Sequence, residues 1–105
     1  MISFSDRVVK LAKSIPRGKV TTYGRIARAA GGGGMAAQSI TTILAKASDS
    51  GVSDIPFHRI VYADGRIWID AKHRKERMAS YKSEGIHVTN NDRIENFKSV
   101  LYEFK

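Results

Sequence analysis

The sequence contains no cysteine, and this absence removes several kinds of chemistry at once. Without thiols the chain has no disulfides, no thiolate metal site and no cysteine nucleophile. Its three histidines, His58, His73 and His87, are too scattered along the chain to show the spacing of metal ligands. We therefore expect no metal, no cofactor and no thiol-based enzyme activity.

Long hydrophobic runs are also missing, and none is long enough to cross a bilayer. Residues 1–10 mix polar and apolar side chains without the hydrophobic centre of a secretory signal. We therefore expect a monomer without membrane contact that is cytoplasmic, associated with the nucleoid in a bacterium or nuclear in a eukaryote. Because 105 residues are too few for two independent cores, we predict a single domain over 1–105.

Positive charge is in excess, with 18 Lys and Arg against 10 Asp and Glu and a net charge of +8. A basic protein attracts polyanions, because each phosphate that it neutralises releases a condensed counterion. Charge alone leaves nucleic-acid binding at about even odds, since many basic domains are merely soluble.

Capping signals and apolar spacing predict a largely helical chain. Ser3 followed by Asp6 indicates a helix start, and this first helix ends at Pro16. Thr22 is expected to cap a short second helix that Gly31 stops. Further helices are predicted over 35–47 and 71–83, and the C-terminal residues fit either a last helix over 94–104 or a strand over 100–104.

One β-hairpin is predicted, with arms at 60–62 and 66–69. The Asp64-Gly65 pair between the arms favours a tight turn. The order of three helices, hairpin and helix predicts a fold that is mainly α with a small β-hairpin. It is typical of a winged-helix-like domain, a variant of the helix-turn-helix.

Two motifs make the sequence recognisable: the segment 15–27, which reads Ile-Pro-Arg-Gly-Lys-Val-Thr-Thr-Tyr-Gly-Arg-Ile-Ala, and the segment Pro56-Phe57-His58-Arg59-Ile60. With Glu84-Gly85 in the same order, they resemble the DNA-binding domain of the O6-alkylguanine-DNA alkyltransferases over about 4–88. In that family a cysteine between Pro and His accepts the alkyl group from an extruded guanine. Phe57 stands at that position here. In this respect the sequence is similar to the alkyltransferase-like proteins, which bind alkylated DNA without repairing it.

The resemblance implies roles for individual residues. It makes Tyr23, between Thr22 and Gly24, the residue that crowds the phosphate beside the target nucleotide and helps to rotate it out. His58 and Glu84 would be the remnant of the relay that activates the cysteine, kept as a buried polar pair because there is nothing left to deprotonate. Phe57 would either stack on the extruded base or only fill the space of the lost chemistry.

Other predicted DNA-binding residues depart from the family pattern. The family has an arginine that fills the gap in the base stack where this chain has Ala37, and Gln38 is the neighbouring hydrogen-bonding candidate. The segment Trp68-Ile69-Asp70 leads directly into the basic helix, without the glycine-containing loop that is usual in the family. Trp68 would narrow the pocket or supply an aromatic wall. Arg59 completes the lesion-binding set, and the predicted phosphate contacts are Arg17, Lys19, Arg74 and Lys75.

Two functions remain open from the sequence. The first is a non-enzymatic protein that binds double-stranded DNA, recognises or shields O6-alkylguanine by base flipping, and signals to excision-repair proteins. The second is a winged-helix module that binds DNA without regard to damage, and the loss of arginine at Ala37 keeps it open.

Overall fold

A computed structural model of the protein describes residues 3–32, 36–68 and 71–104. Helices dominate these residues. Their regular elements in chain order are α1 (Phe4–Ser14), β1 (Thr21–Thr22), α2 (Tyr23–Ala29), a 3₁₀ helix (Ala36–Ser39), α3 (Ile40–Asp49), a second 3₁₀ helix (Phe57–Arg59), β2 (Ile60–Val61), α4 (Arg74–Ser83) and α5 (Phe97–Val100). No helix within the described ranges has the length and apolar character needed to span a membrane.

The first two helices begin where the capping signals predict. Ser3 and Asp6 form a reciprocal capping box at the start of α1, in which the Asp6 backbone N–H donates to the Ser3 hydroxyl at 3.1 Å. Thr22 caps α2 by accepting a hydrogen bond from the Arg25 backbone N–H at 3.2 Å. Beyond α2 the chain turns at Gly31, whose φ of +92° suits a residue without a Cβ. Both predicted starts are confirmed.

The later helices are shorter than predicted. The segment predicted as a helix over 35–47 is a 3₁₀ helix followed by α3, and Met35 lies outside the described residues. The basic helix predicted over 71–83 begins only at Arg74. At the C-terminus both alternatives occur in part, because α5 ends at Val100 and Leu101 then forms a parallel bridge to Val20.

The predicted β-hairpin is wrong, although the predicted mainly helical fold with a small sheet is confirmed. The Asp64-Gly65 turn does form, and the Tyr62 N–H donates to the Arg66 carbonyl at 2.9 Å. However, β2 pairs in parallel with β1, and Arg66 bridges to Arg93 instead of continuing a hairpin. The physical reason is burial. Both residues of β2 are enclosed, as in a parallel pair covered on both faces, so β2 takes the equally buried β1 as its partner.

The short sheet joins two halves of the hydrophobic core. Ile60 packs with the buried faces of α1, α2 and α3. Val61, the next residue, belongs to a second cluster around Tyr81 of α4. Successive strand residues face opposite sides, so two residues of β2 are enough to connect both clusters. The 3₁₀ helix Phe57–Arg59 is thereby held at the junction between α3 and α4.

Candidate functional site

A buried carboxylate organises the polar centre of the site. The side chain of Glu84, just after α4, is only 3% exposed. It accepts hydrogen bonds from Arg59 Nε at 3.0 Å, from Arg59 Nη2 at 2.9 Å and from the Gly18 backbone N–H at 2.8 Å. His58 Nε2 lies 2.5 Å from Glu84 Oε2, the oxygen that also accepts from Arg59 Nη2, and Arg59 Nη1 donates to the Ile15 carbonyl at 2.9 Å. We call these five residues the Glu84 network.

The protonation states within the network follow from these contacts. Burial alone would raise the pKa of Glu84, but hydrogen bonds from Arg59, Gly18 and His58 lower it to about 2. Burial lowers the pKa of His58 below its ordinary value, against the opposing influence of Glu84. An ionised carboxylate can only accept, so the proton on His58 resides on Nε2 and points at Glu84. The predicted polar pair is therefore present, and it is internally satisfied.

A cavity of about 510 Å³ opens beside this network. It lies between the start of α2, the face of α3, the 3₁₀ helix Phe57–Arg59 and α4. Its volume is in the usual range of small-ligand pockets. Its principal lining side chains come from all of these elements and from the loop before α4: Tyr23, Leu44, Phe57, His58, Trp68 and Arg77. Three of the predicted lesion-binding aromatic residues thus meet around one opening.

Tyr23 enters this cavity as the first residue of α2, directly after the Thr22 cap. Burial raises its pKa above the ordinary value, although the neighbouring Thr41 and Arg77 act to lower it. The phenol is therefore neutral at physiological pH and can approach a phosphate without charge repulsion. Its ring also packs against Tyr62, with centroids 5.5 Å apart.

Trp68 and Arg77 form the side of the cavity nearest to solvent. Trp68 is 40% exposed, and the Arg77 guanidinium carbon lies 5.5 Å from the centroid of its ring. Arg77 Nη1 also donates to the Trp68 carbonyl at 3.4 Å. We call Tyr23, Phe57, Trp68 and Arg77 the cavity wall. Because Phe57 is part of this wall, it lines an open space and is accessible to a ligand.

The sequence did not indicate one wall residue, Arg77, and one residue that supports the wall, Tyr62. The sequence indicated Arg77 only as one of the basic residues of the helix predicted over 71–83, whose cationic surface was expected to meet phosphates. A signal was available, because Arg77, Tyr81 and Glu84 follow one another at intervals of four and three residues and so share one side of a helix. Nothing local in the sequence indicates the contact between Tyr62 and Tyr23.

Three predicted lesion-binding residues have clear places in the fold. Thr22 is only 2% exposed, and its side chain caps α2 and so positions Tyr23; its part in binding DNA stays a prediction. Arg59 is committed to Glu84 and Ile15, which gives it a structural role, and its contact with DNA stays a prediction. Gly24 has open space where a Cβ would stand, so its lack of a side chain leaves room for another molecule.

The start of the recognition segment lies apart from the cavity. Gln38 is exposed and borders a second groove, between α1 and α3. Ala37 belongs to the 3₁₀ helix, but its side chain lies outside the described part of the structure. Ile69 and Asp70, which follow Trp68, are outside the described residues as well. The predicted roles of Ala37 and Gln38 stay predictions.

The predicted phosphate contacts differ in their freedom to meet a ligand. Arg17 donates to the Ser83 carbonyl at 2.5 Å, and Lys19 donates to the Ser99 carbonyl at 3.1 Å. Arg74 forms an ion pair with Asp92 at 2.8 Å on the surface, whereas Lys75 is exposed. All four are on or near the surface, but three of them already hold other segments of the chain.

A family model and several relatives match this chain. Residues 3–86 match the family described as 6-O-methylguanine DNA methyltransferase, DNA binding domain. A DNA base-flipping protein of Escherichia coli strain K12 is 31% identical over 93 residues, which cover 89% of this chain and 70% of that protein. A DNA base-flipping protein of Vibrio parahaemolyticus is 29% identical over 89 residues, covering 85% and 86% of the two chains.

Solved structures show the same fold. Atl1 of S. pombe, in complex with damaged DNA containing O6-carboxymethylguanine, has a TM-score of 0.74 and 25% identity over 99% of this chain and 98% of that one. An O6-methylguanine methyltransferase variant of M. tuberculosis has a TM-score of 0.60 and 26% identity over 78% and 48% of the two chains. The match to the family model extends over most of the sequence and includes every residue that lines the cavity. The chain belongs to the family of the 6-O-methylguanine DNA methyltransferase DNA-binding domain.

Proposed function

We propose that this protein binds double-stranded DNA and holds an O6-alkylated guanine, extruded from the helix, in the cavity without removing the alkyl group. The observation that carries the proposal is the open cavity lined by Tyr23, Phe57 and Trp68 in a chain that contains no cysteine. Its relatives named DNA base-flipping proteins, and Atl1 bound to damaged DNA, support the same function.

The cavity offers the interactions that an extruded base needs. Flipping costs a few kcal/mol of stacking and pairing, and the cost is lower when alkylation has already weakened the pair. Stacking on an aromatic side chain returns about 1–3 kcal/mol per base. Phe57 and Trp68 supply aromatic faces, and the neutral phenol of Tyr23 can contact the DNA phosphate beside the extruded nucleotide.

The absence of alkyl transfer follows from the chemistry of the same residues. Phe57 occupies the position at which the resemblance places the alkyl-accepting cysteine, and a phenyl ring has no nucleophilic atom. His58 directs its Nε2 proton to Glu84 and has no thiol to activate. DNA carrying a radiolabelled alkyl group is expected to leave no label on the protein, and stoichiometric labelling of the intact chain would contradict this.

Recognition without repair requires a second protein to complete the process. We therefore include excision-repair proteins among the partners in this proposal, with the protein acting as a monomer that marks the alkylated site. Capture of such proteins on lesion-containing duplex, but not on unmodified duplex, in the presence of this chain is the expected result.

Extrusion itself is tested with a fluorescent base beside the lesion. A 2-aminopurine placed next to O6-methylguanine gains emission when its neighbour leaves the stack. We expect the wild-type protein to raise this emission, Tyr23→Phe to retain much of the increase, and Tyr23→Ala to abolish it. Tight binding of the lesion duplex by the wild type without any change in emission would contradict base flipping.

A second candidate function is a DNA-binding module without lesion recognition, and the alanine at position 37 favours it. An arginine there would fill the base stack, whereas alanine supplies only a methyl group. Ala37→Arg is expected to increase the preference for alkylated duplex, with a smaller and salt-sensitive gain on ordinary duplex. An equal gain on both duplexes would favour the second candidate.

A further inference from the structure

We propose that Arg77 is the specificity-determining residue of the cavity and reads the O6/N7 edge of an extruded guanine-type base while Trp68 stacks on its face. This inference rests on the proposed function and deepens it, because it names the residue by which the cavity distinguishes a guanine-type base from an alkylated pyrimidine. Arg77 occupies the position from which one planar donor group can reach a base held against the aromatic wall.

The first observation is the location of the guanidinium. Arg77 lines the cavity from α4, and its guanidinium carbon lies 5.5 Å from the Trp68 ring centroid. Its positive charge acts to lower the pKa of Tyr23 and of His58, although burial raises the pKa of Tyr23 overall. Tyr23 and His58 line the same cavity as Arg77, so the guanidinium borders the opening that these two side chains also face.

The second observation is that the hydrogen-bonding capacity of Arg77 is largely unused. A guanidinium has five N–H donors, and the contact to the Trp68 carbonyl at 3.4 Å employs one nitrogen at long range. Asp49 and Glu76 also border the cavity, but in the described part of the chain neither forms an ion pair with Arg77. By contrast, Arg59 uses its donors on Glu84 and Ile15.

The third observation is the match between this group and a purine. The O6 and N7 atoms of guanine are adjacent acceptors, and arginine binds them with two parallel N–H groups. O6-alkylation leaves both atoms as acceptors. A pyrimidine such as O4-methylthymine presents O4 but has no N7, so the second donor would lose its partner. The cavity is therefore selective for guanine-type bases over alkylated pyrimidines.

The test compares three otherwise identical duplexes that contain O6-methylguanine, O4-methylthymine or guanine at one site. Arg77→Lys keeps the charge but loses the planar fork. We expect this substitution to weaken binding of the O6-methylguanine duplex by about tenfold, and to leave binding of the other two duplexes and the salt dependence nearly unchanged. Lys82→Gln, on the exposed surface of the same helix, is the matched control and should change none of the three selectively.

A second readout comes from Trp68, the only tryptophan of the chain. Its fluorescence should change saturably with the O6-methylguanine duplex, and should change less in Arg77→Lys. If Arg77→Lys binds like the wild type, or weakens all three duplexes equally, the assignment of Arg77 is wrong while the proposed function stands. If the wild type itself does not distinguish O6-methylguanine from guanine, the proposed function fails, and the inference fails with it.

Discussion

The Glu84 network and the cavity wall lie side by side, yet their polar groups are satisfied in opposite ways. In the network, Arg59 and His58 direct their donors to a carboxylate that is 3% exposed. In the wall, Trp68 is 40% exposed, and among the described residues the side chain of Arg77 makes a single hydrogen bond, 3.4 Å long, to the Trp68 carbonyl. Residues that resemble a catalytic relay thus hold the shape of the pocket, and residues outside that relay face the space where a ligand would bind.

The largest effect is expected from breaking the network. Glu84→Gln removes the charge that Arg59 requires, and loss of one partner from a buried ion pair costs about 3 kcal/mol. We expect the free energy of unfolding at pH 7, measured in urea, to fall by about this amount. Glu95→Gln, an exposed control, should leave it nearly unchanged. Equal stability of wild type and Glu84→Gln would show that the network contributes nothing to folding.

The same comparison has a defined pH dependence. The pKa of Glu84 is about 2 in the folded protein, below its ordinary value of 4.5 in the unfolded chain. A depressed carboxyl pKa contributes stability above the unfolded value, and that stability is lost as the pH falls through the folded value. The difference in stability between wild type and Glu84→Gln should therefore shrink between about pH 5 and pH 2. A constant difference over this range would contradict the assigned ionisation.

Breaking the wall should affect lesion binding more than folding. Phe57→Ala removes one aromatic face, and the loss of stacking should weaken binding of an O6-methylguanine duplex by about tenfold. Binding of unmodified duplex should change little, because that binding does not require an occupied cavity. Phe104→Ala, which removes a ring packed against Tyr102 away from the cavity, is the control. Loss of affinity for both duplexes alike would show that Phe57 only supports the fold.

A substitution at Gly24 is expected to change the thermal stability and the DNA affinity in opposite directions. A Cβ at this position meets nothing within 4 Å, and alanine favours a helix over glycine by up to about 1 kcal/mol. Gly24→Ala should therefore raise the thermal stability slightly while it weakens binding of every DNA duplex severalfold. Unchanged DNA affinity would mean that this side of α2 does not approach the DNA.

The smallest effect concerns the surface charges of α4. Lys75→Gln should reduce the slope of log affinity against log salt by roughly one, as expected for one lost phosphate contact. Arg74→Gln should reduce it less, because the Arg74 guanidinium is paired with Asp92. Lys13→Gln, at the end of α1, serves as the control. Slopes that do not respond to Lys75 would indicate that α4 faces away from the DNA.

Features that depend on neighbouring residues could be predicted from the sequence, and features that depend on distant partners could not. The Ser3 and Thr22 caps and the Asp64-Gly65 turn involve residues within a few positions of each other. The parallel pairing of β1 with β2 joins residues about forty positions apart. It depends on which strand becomes buried, so the local turn signal led to a hairpin instead.

The candidate site shows the same division. The family resemblance led to Tyr23, Phe57 and His58, which meet at the cavity. The basic residues of the sequence also suggested cationic contacts, but Arg17 and Arg74 hold other parts of the chain, and charge counting does not reveal such partners. The orientation of a basic residue is set by tertiary packing, and for that reason the sequence placed Arg77 in a cationic surface that meets phosphates and not in the cavity wall.

The central claim is that the open cavity, and not the basic surface alone, determines what the protein binds. The most direct measurement is the equilibrium affinity for two duplexes that differ only in guanine or O6-methylguanine at one position, determined over a series of salt concentrations. We expect both affinities to fall steeply as salt rises, because phosphate contacts are lost, while a severalfold preference for the alkylated duplex persists at every salt concentration. Equal affinity for the two duplexes throughout the series would contradict it.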